Sequence, residues 1–397
     1  MDEVYQVVLK VLAAFFVTGI LSFLLTPPVK RLAHRIGAID VPKDARRMHK
    51  KPIPRLGGLA IYISFVIVSL VLGQWNMQNF TILIGSAIIV VLGIFDDRNA
   101  LSAKFKFGIQ LIAAAIPVVF GNLRIELITN PNLFSGELYV KFGALAIPIT
   151  IIWIVAITNA VNLIDGLDGL AVGVSAIACM TMLAVSLLIG EVPIAILLAV
   201  LAGACVGFMP FNLNPASIFM GDTGSTFLGF MLATLSIQGM FKVYAIISFA
   251  VPFLILGLPI FDTAFAFTRR ILSGRSPFSP DRGHVHHRLI DMGFNQKQTV
   301  AILYIISTVL GLLAVVLTTS GEYRAIVMVL VVLITCVVGG GIYLSAERRK
   351  MKLHEQKLHE QKLHELNQQE NEQQKIAEQT QDADDTSDRG GFDNEDN

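Results

Sequence analysis

The sequence is dominated by a succession of apolar runs, each close to twenty residues long, and this pattern restricts the chain to a membrane fold. A helix of about twenty apolar residues crosses roughly 30 Å of hydrocarbon. Hydrophobic residues make up 54% of the chain, and the mean hydropathy is +0.64, as in polytopic membrane proteins. We therefore predict an all-α polytopic membrane protein with about eleven transmembrane helices, at 4–25, 57–73, 80–95, 104–120, 143–160, 168–189, 192–209, 221–238, 243–262, 299–319 and 323–345.

The basic residues of the connecting loops predict the orientation of these helices. With the amino terminus outside, the inward loops and the exit of the last span hold twenty-one Lys and Arg residues, against five on the outward side. Such an excess marks the cytoplasmic face. An odd number of spans then places the carboxyl terminus in the cytoplasm, and the protein is expected in the plasma membrane.

The two ends of the chain and its cysteines complete the organisation. The first run lacks a small-residue cleavage site, so it is expected to be a retained helix. Residues 1–345 form the predicted membrane domain, whereas 346–397 begin with the repeat KLHEQ-KLHEQ-KLHEL and become polar and acidic. Such a segment cannot bury a core, and we expect a cytoplasmic, mostly disordered tail. The three cysteines lie within apolar runs and are expected to be buried small side chains.

Five polar motifs interrupt the apolar pattern, and the predicted topology places all of them on the cytoplasmic face. Asn, Asp, Lys, Arg and His at helix ends on one aqueous face suit a phosphate-bearing, metal-bound substrate. Nothing in the sequence indicates a nucleic-acid partner. The motifs are RRMHKKPIPRLGG (46–58), DDRNALSAKFKFGIQ (96–110), NAVNLIDGLDGL (159–170), FNLNPASIFMGDTGS (211–225) and RGHVHHRL (282–289).

The aspartates of these motifs supply the hard oxygen ligands that Mg²⁺ prefers. Magnesium usually takes only one or two carboxylates and completes its shell with water and phosphate oxygens. The candidates are Asp96, Asp97, Asp165, Asp168 and Asp222. Some of them must therefore orient lysines, position a nucleophile or accept hydrogen bonds, and the spacing does not say which. The alternative is that the Asp–Gly pairs cap helices.

The basic motifs favour an anion as the bound group. Arg55 lies in PRLGG at the mouth of the second span, where a fixed turn and two glycines would direct it to the polar face. The HVHH cluster contains the residue type that most often binds transition metals. Arg282 and Arg288 flank it, however, and their charge favours phosphate or sugar-phosphate oxygens over a cation. Structural histidines and a metal site are the two alternatives.

These motifs together resemble the polyprenyl-phosphate N-acetylhexosamine-1-phosphate transferases, within the WecA/TagO branch of the MraY-related superfamily. The segments PRLGG, GxxDDR, NLIDGLDGLA, FNxxPAxxFMGDTGS and HVHHRL occur in the family's order, and the resemblance covers about 1–345. The chain departs from MraY itself, which has a TPTMGG-like segment and a triple histidine. The departure argues for a simpler donor, a UDP-N-acetylhexosamine.

The resemblance implies transfer of N-acetylglucosamine 1-phosphate from UDP-GlcNAc to undecaprenyl phosphate, with release of UMP and with Mg²⁺, or Mn²⁺ in its place, as cofactor. The soluble donor would arrive from the cytoplasm, and the lipid phosphate would arrive from the bilayer through a groove between helices. The product would start a cell-envelope glycopolymer such as wall teichoic acid. The sequence leaves the polymer, the exact sugar and the oligomeric state open, a homodimer included.

The resemblance also implies roles for individual residues. Asp222 would bind the metal, and Asp96 or Asp97 would position or deprotonate the lipid phosphate. Nucleotide contacts would come from Asn162, Asp165, Asp168, Asn212 and Phe219, and phosphate or sugar contacts from Lys106, Arg55, Arg282, His286 and His287.

A secondary transporter is the alternative from a different functional class, because intramembrane carboxylates and broken helices also mark transport paths. Transport sites lie near the bilayer midplane between repeats. Here the charges collect at one face, and the two halves of the chain show no repeat. These features favour the enzyme.

Overall fold

The computed structural model describes residues 2–42, 52–129, 139–239, 247–274 and 284–319. The chain divides into two units, Met1–Ile334 and Thr335–Asn397. All of the described residues belong to the first unit. The predicted eleventh span, the third cysteine and the polar tail lie outside the described residues.

Helices account for most of the described chain. They are α1 (Asp2–Ile36), α2 (Gly58–Leu72), α3 (Met77–Arg98), α4 (Ala103–Val119), α5 (Ala146–Leu163), α6 (Leu170–Leu188), α7 (Val192–Asn212), α8 (Gly221–Gly239), α9 (Ile247–Ile255), α10 (Gly257–Leu272), α11 (Val285–Asp291) and α12 (Gln296–Thr318). A short 3₁₀ turn, Gly143–Leu145, precedes α5.

Helices occupy the first ten predicted apolar runs, which confirms the all-α prediction for the part of the chain the structure describes. Six helical segments there are long and apolar enough to cross a membrane: Val4–Ile36, Met77–Arg98, Gly143–Leu163, Leu170–Leu188, Val192–Asn212 and Gln296–Thr318. Two of the helical regions differ from their predicted bounds. The first helix continues to Ile36, well beyond the predicted end at 25, and the ninth run divides at Leu256 into α9 and α10.

The core is built around α8. Every residue of α8 except Asp222 is buried, and the helix packs against α2, α3, α5 and α6. Helix α7 is also buried along most of its length and packs against α1 and α6. Helix α1 lies at the periphery, with many exposed apolar side chains such as Phe16, Ile20 and Leu24. An apolar side chain exposed on a membrane helix faces lipid, so this pattern suits a helix at the edge of the bundle.

Two short antiparallel strand pairs were not predicted from the sequence. The pair β1 (Ile39–Asp40) and β2 (Ile53–Pro54) lies beside the site described below, and β3 (Leu127–Thr129) pairs with β4 (Tyr139–Lys141). The β2 segment also bonds to the FMGD segment, because the Phe219 amide donates to the Pro54 carbonyl at 2.8 Å. These pairs are two or three residues long, too short to show as alternation in the sequence.

The PRLGG and MGDTG motifs meet through their glycines. The amides of Gly57 and Gly58 donate to the carbonyls of Phe219 and Met220, at 2.9 and 2.8 Å. A Cβ atom built on Gly58 would lie 2.1 Å from the Cα of Gly224. Only glycine allows the start of α2 to approach the start of α8 this closely. The contact holds Arg55 beside Asp222.

Candidate active site

One lysine joins two aspartates from different helices at the centre of the site. The Lys106 ammonium lies 2.9 Å from Asp96 Oδ2 at the end of α3 and 2.9 Å from Asp222 Oδ2 at the start of α8. Asp96 Oδ1 also accepts a hydrogen bond from the Leu101 amide at 2.7 Å, which fixes the turn between α3 and α4. Lys106 thus lies between two carboxylates that are 126 positions apart in the sequence.

Asp97 points to different partners and holds the first turn of α8. Its carboxylate accepts hydrogen bonds from the Asp222 amide at 2.8 Å, the Thr223 amide at 3.0 Å and the Thr223 hydroxyl at 2.7 Å. The Asp97 side chain is fully buried. These bonds compensate for its burial and satisfy helix N-terminal amides that would otherwise have no acceptor. Adjacent residues on a helix diverge by about 100°, which explains why Asp96 and Asp97 contact different groups.

Arg55 completes the group of charges. Its guanidinium lies 3.4 Å from Asp222 Oδ1 and 3.5 Å from Asp97 Oδ1. We call the five side chains of Arg55, Asp96, Asp97, Lys106 and Asp222 the charge cluster. With every group ionised it carries three negative and two positive charges, so it retains a net negative charge that an additional cation would offset.

The backbone at Gly221 is what brings Asp222 into the cluster. Gly221 has a φ of 72°, in the left-handed region that glycine adopts without strain. A Cβ at this position would also lie 2.4 Å from Asp97 Oδ2. The glycine before Asp222 therefore allows both the turn into α8 and the close approach of the Asp97 carboxylate.

A large cavity adjoins the charge cluster. Its volume is about 960 Å³, in the range of small-molecule sites. Six of the predicted site residues line it: Arg55, Asp165, Asp168, Asn212, Phe219 and His287. The structure thus brings together the PRLGG, DGLDG, FNLNP and HVHH motifs around one space. Asp96, Asp97, Lys106, Asn162, Asp222 and His286 are not among the lining residues, although Gly221 is.

The two aspartates of the loop between α5 and α6 differ in their surroundings. Burial raises the pKa of Asp165 to about 7, with a further increase from the nearby Asp222 carboxylate and an opposing effect of Arg55. Asp168 Oδ2 accepts hydrogen bonds from the Asn214 side-chain amide at 2.9 Å and from the Ala216 amide at 3.1 Å. Asp168 therefore ties the loop at 164–169 to the loop after α7, besides lining the cavity.

Two predicted nucleotide-binding asparagines bond to the protein itself. Asn212 Oδ1 accepts from the Gly169 amide at 3.1 Å, and its Nδ2 donates to the Ile218 carbonyl at 3.0 Å. Asn162 Nδ2 donates to Ser225 Oγ at 2.7 Å. Both side chains thus join the motifs to each other. Whether they also contact a nucleotide stays a prediction.

The histidine cluster is held by an aspartate that the sequence analysis did not select. Asp262 of α10 bonds to His284 Nδ1 at 2.8 Å and accepts from the Val285 amide at 2.7 Å. Burial, with the neighbouring His287, lowers the pKa of His286 to about 4, so His286 is neutral at pH 7. The ring of His286 packs against that of His287, which lines the cavity. Arg282 lies outside the described residues.

Other residues that the sequence analysis did not select hold the cavity together. Asn214 bonds to both Asp168 and Gln296 Oε1, the latter at 2.7 Å. The Tyr304 hydroxyl of α12 donates to the Gly169 carbonyl at 2.5 Å. Asn214 belongs to the FNLNP motif and could have been selected from it. Gln296 and Tyr304 stand in an ordinary apolar helix and carried no such signal.

The donor atoms of the charge cluster fit a hard divalent cation. The described residues contain no group of three His, Cys, Asp or Glu side chains placed to hold a metal ion. Magnesium does not require one, since one or two carboxylates and substrate phosphates suffice. Oxygens of Asp96 and Asp222 already lie together around one ammonium group. The same pair of oxygens suits a magnesium ion.

A second, apolar cavity lies between α5, α9 and α10. Its volume is about 510 Å³, and the side chains that line it include Ile152, Trp153, Phe253, Ile260 and Phe267. Its lining contrasts with the charged and amide side chains of the larger cavity. It suits a hydrocarbon chain rather than a nucleotide.

The sequence is similar to a known family and to named relatives. Residues 79–240 match the model of the family described as "Glycosyl transferase family 4". The chain is 42% identical, over 82% of its length and 90% of the relative, to a probable undecaprenyl-phosphate N-acetylglucosaminyl 1-phosphate transferase of Bacillus subtilis. A decaprenyl-phosphate N-acetylglucosaminephosphotransferase of Mycobacterium tuberculosis is 36% identical, over 72% of this chain and 77% of the relative.

A more distant relative is the undecaprenyl-phosphate alpha-N-acetylglucosaminyl 1-phosphate transferase of Escherichia coli K12. It is 27% identical, over 72% of this chain and 78% of its own length. The family model and these relatives show a transferase, and the apolar helices indicate a multi-pass membrane protein. The chain belongs to the polyprenyl-phosphate N-acetylhexosamine-1-phosphate transferase family.

Proposed function

We propose that the protein transfers N-acetylglucosamine 1-phosphate from UDP-GlcNAc to undecaprenyl phosphate and releases UMP. The observation that carries the proposal is the charge cluster beside a cavity of about 960 Å³. The names of the relatives support the same acceptor and the same sugar. They give no support to the transporter alternative.

In the proposed reaction an oxygen of the lipid phosphate attacks the donor phosphorus that carries the sugar. A new P–O bond forms there, the bond to the UMP oxygen breaks, and UMP leaves with that electron pair. The second pKa of a phosphate monoester is about 6, so the acceptor is largely dianionic at neutral pH and needs no strong base. Catalysis then depends on positioning and on neutralising charge.

The charge cluster supplies that positioning and neutralisation. Lys106 and Arg55 offer positive charge to phosphate oxygens, and the aspartates orient both side chains. Asp97 has a positioning role, because its carboxylate already accepts three hydrogen bonds from the first turn of α8. Asp96 is the better candidate for orienting the lipid phosphate, which it would do through Lys106, since its other contact is one backbone amide.

We propose Mg²⁺, with Mn²⁺ as a substitute, as the cofactor, and Asp222 as its main protein ligand with Asp96 beside it. A bound divalent cation would neutralise charge on the donor pyrophosphate. Asp222 Oδ2 bonds to Lys106, so the ammonium group must share this carboxylate with the metal. The Lys106 side chain is 27% exposed and has four rotatable bonds, which allows it to turn toward a phosphate.

The two substrates would reach the cluster from different sides. The larger cavity is the proposed donor site, with Phe219 and Asp168 on the nucleotide side and His287 on the phosphate or sugar side. The apolar cavity between α5, α9 and α10 is the proposed site of the first isoprene units. We further propose the eleven-span topology with the site at the cytoplasmic face of the plasma membrane, because the loops that hold the motifs are rich in Lys and Arg.

A labelling experiment tests the proposed function. The purified chain in detergent is incubated with UDP-[¹⁴C]GlcNAc, undecaprenyl phosphate and Mg²⁺, and the lipid product is extracted into butanol. We expect labelled lipid that requires both substrates and the metal, together with one UMP for each sugar transferred. UDP-GalNAc in parallel tests the choice of sugar. Absence of labelled lipid with both donors would contradict the proposal.

We further propose that the product would start a cell-envelope glycopolymer such as wall teichoic acid.

A further inference from the structure

The last turns of α1 carry four basic residues, of which two line the larger cavity and two do not. Helix α1 has 35 residues, or about 50 Å of helix, more than the hydrocarbon requires. Lys30 and His34 line the cavity, whereas Arg31 and Arg35 do not. Residues four apart lie on the same helix face, so Lys30 and His34 form one edge of the cavity.

Lys30 differs from the other lysine and arginine side chains around the site. Arg55 and Lys106 each contact two aspartates. Among the residues that the structure describes, no carboxylate forms an ion pair with Lys30, which is half-buried. A half-buried ammonium group at a cavity edge that no carboxylate in the described part of the chain neutralises is suited to an anion supplied by the ligand.

The positive-inside rule alone would account for basic residues here, because α1 ends on the predicted cytoplasmic face. That rule acts on all four residues equally, however. It gives no reason for Lys30 and His34 to line the cavity while Arg31 and Arg35 do not. Lys30 is half-buried, and the other three residues are exposed. The arrangement therefore separates a pair at the cavity edge from a pair away from the cavity.

We propose that Lys30 and His34 bind the diphosphate of the nucleotide-sugar donor. The proposal rests on the function proposed above and adds α1 to the donor site. The cavity that they line also holds Arg55, Asp168 and His287, which come from three other parts of the chain. Phosphate oxygens are the shared chemistry of both substrates, so the test must distinguish the donor from the lipid phosphate.

The adjacent arginines provide matched controls. Lys30→Ala is compared with Arg31→Ala, and His34→Ala with Arg35→Ala, so that each pair removes a basic side chain from the same turn. KM is measured for UDP-GlcNAc at saturating lipid phosphate and for lipid phosphate at saturating donor. Binding of UMP is measured by calorimetry in detergent.

We expect Lys30→Ala to raise the KM for UDP-GlcNAc roughly tenfold and to weaken UMP binding to a similar degree, as for loss of one charged hydrogen bond. His34→Ala should have a smaller effect in the same direction. Arg31→Ala and Arg35→Ala should stay within about twofold of the native chain. Lys30→Arg, which keeps the charge, should restore most of the donor affinity.

Two results would overturn this inference. One is an equal donor KM and equal UMP binding for Lys30→Ala and Arg31→Ala. The other is a Lys30→Ala variant in which only the KM for lipid phosphate changes, which would assign the cavity edge at Lys30 and His34 to the acceptor. If Lys30→Ala does not accumulate in the membrane, Lys30→Gln, which keeps most of the aliphatic stem, is measured in its place. A native chain that formed no labelled lipid would contradict the proposed function instead, and the UMP comparison would still test Lys30.

Discussion

The charge cluster and the loop at 164–169 both contain aspartates next to glycines, but the two regions use their carboxylates differently. Asp96 and Asp222 bond to Lys106, and Asp222 also lies beside Arg55. Asp168 instead accepts hydrogen bonds from two neutral amides. Charge matters in the first region, whereas the second mainly fixes the positions of two loops around the proposed donor cavity.

A motif of Asp and Gly therefore does not by itself reveal what its carboxylate does. The informative observation is which partners the oxygens already have. Replacing a carboxylate beside cations by an amide removes a charge that those cations need. Replacing a carboxylate that accepts hydrogen bonds from amides should cost less free energy, because the amide oxygen can still accept. The predictions below test this distinction.

Asp222→Asn should have the largest effect. It removes the charge that holds Lys106 and Arg55 and that we assign to the metal, while the shape of the side chain is kept. We expect kcat to fall roughly a thousandfold or more, with normal accumulation in the membrane. Asp291→Asn, at an exposed position of α11, is the control. Near-normal turnover of Asp222→Asn across a magnesium titration would remove Asp222 from the mechanism.

Replacement of Asp96 and Asp97 should separate catalysis from folding. Asp96→Asn loses a charge on Lys106, and we expect kcat to fall roughly a hundredfold with little change in thermal stability. Asp97→Asn places an amide donor against the donors of Thr223, at a cost of about 1–3 kcal/mol, and should lower the melting temperature in detergent. If kcat depends on pH and on Mg²⁺ concentration in the same way in both variants, the pair acts as one unit.

Tyr304→Phe should have a smaller effect, because it removes one neutral hydrogen bond to the Gly169 carbonyl. We expect a loss of about 1 kcal/mol of stability and a rise of no more than about threefold in the KM for UDP-GlcNAc, since α12 touches the loop but not the charge cluster. Tyr5→Phe, at an exposed position of α1, serves as the control. A loss of kcat as large as that of Asp96→Asn would place Tyr304 in the chemistry.

His286→Gln should have the smallest effect at neutral pH and a visible one in acid. The pKa of His286 is lowered from 6.5 to about 4, so the unfolded chain binds the proton more readily between these values. The neutral His286 side chain therefore contributes to the stability of the folded chain above pH 6.5, and this contribution is lost as the pH falls toward 4. We expect His286→Gln to flatten the fall in melting temperature between pH 6.5 and 4, with Lys297→Gln, at an exposed position that does not titrate in this range, as the control. An unchanged slope would show that His286 does not titrate in this way.

The helices could be predicted from the sequence because hydrocarbon thickness imposes one length on every span. The division of the ninth run at Leu256 was missed, since residues 243–262 form one continuous apolar run in the sequence. The strand pairs were missed because they are two or three residues long. The extension of α1 to Ile36 was missed because composition marks where the apolar run ends, not where the helix ends.

The site was predicted in part for a similar reason. Charged residues in an apolar chain are conspicuous, so Asp96, Lys106 and Asp222 could be selected before their contacts were known. Asp262, at the end of the apolar run 243–262, could have been selected by the same rule. Tyr304 could not, because one tyrosine in an apolar helix carries no pattern. Lys30 was counted only as one of many cytoplasmic charges. Its position at the cavity edge depends on the length and packing of α1.

The proposed division of roles is that the charge cluster performs the transfer while the loop at 164–169 serves donor binding. Its most direct test is the steady-state rate of labelled lipid formation by Asp222→Asn and Asp168→Asn over a range of UDP-GlcNAc concentrations. We predict that Asp222→Asn loses kcat at every donor concentration, and that Asp168→Asn raises KM while it keeps most of kcat. Loss of kcat in Asp168→Asn together with a change of KM alone in Asp222→Asn would contradict the claim.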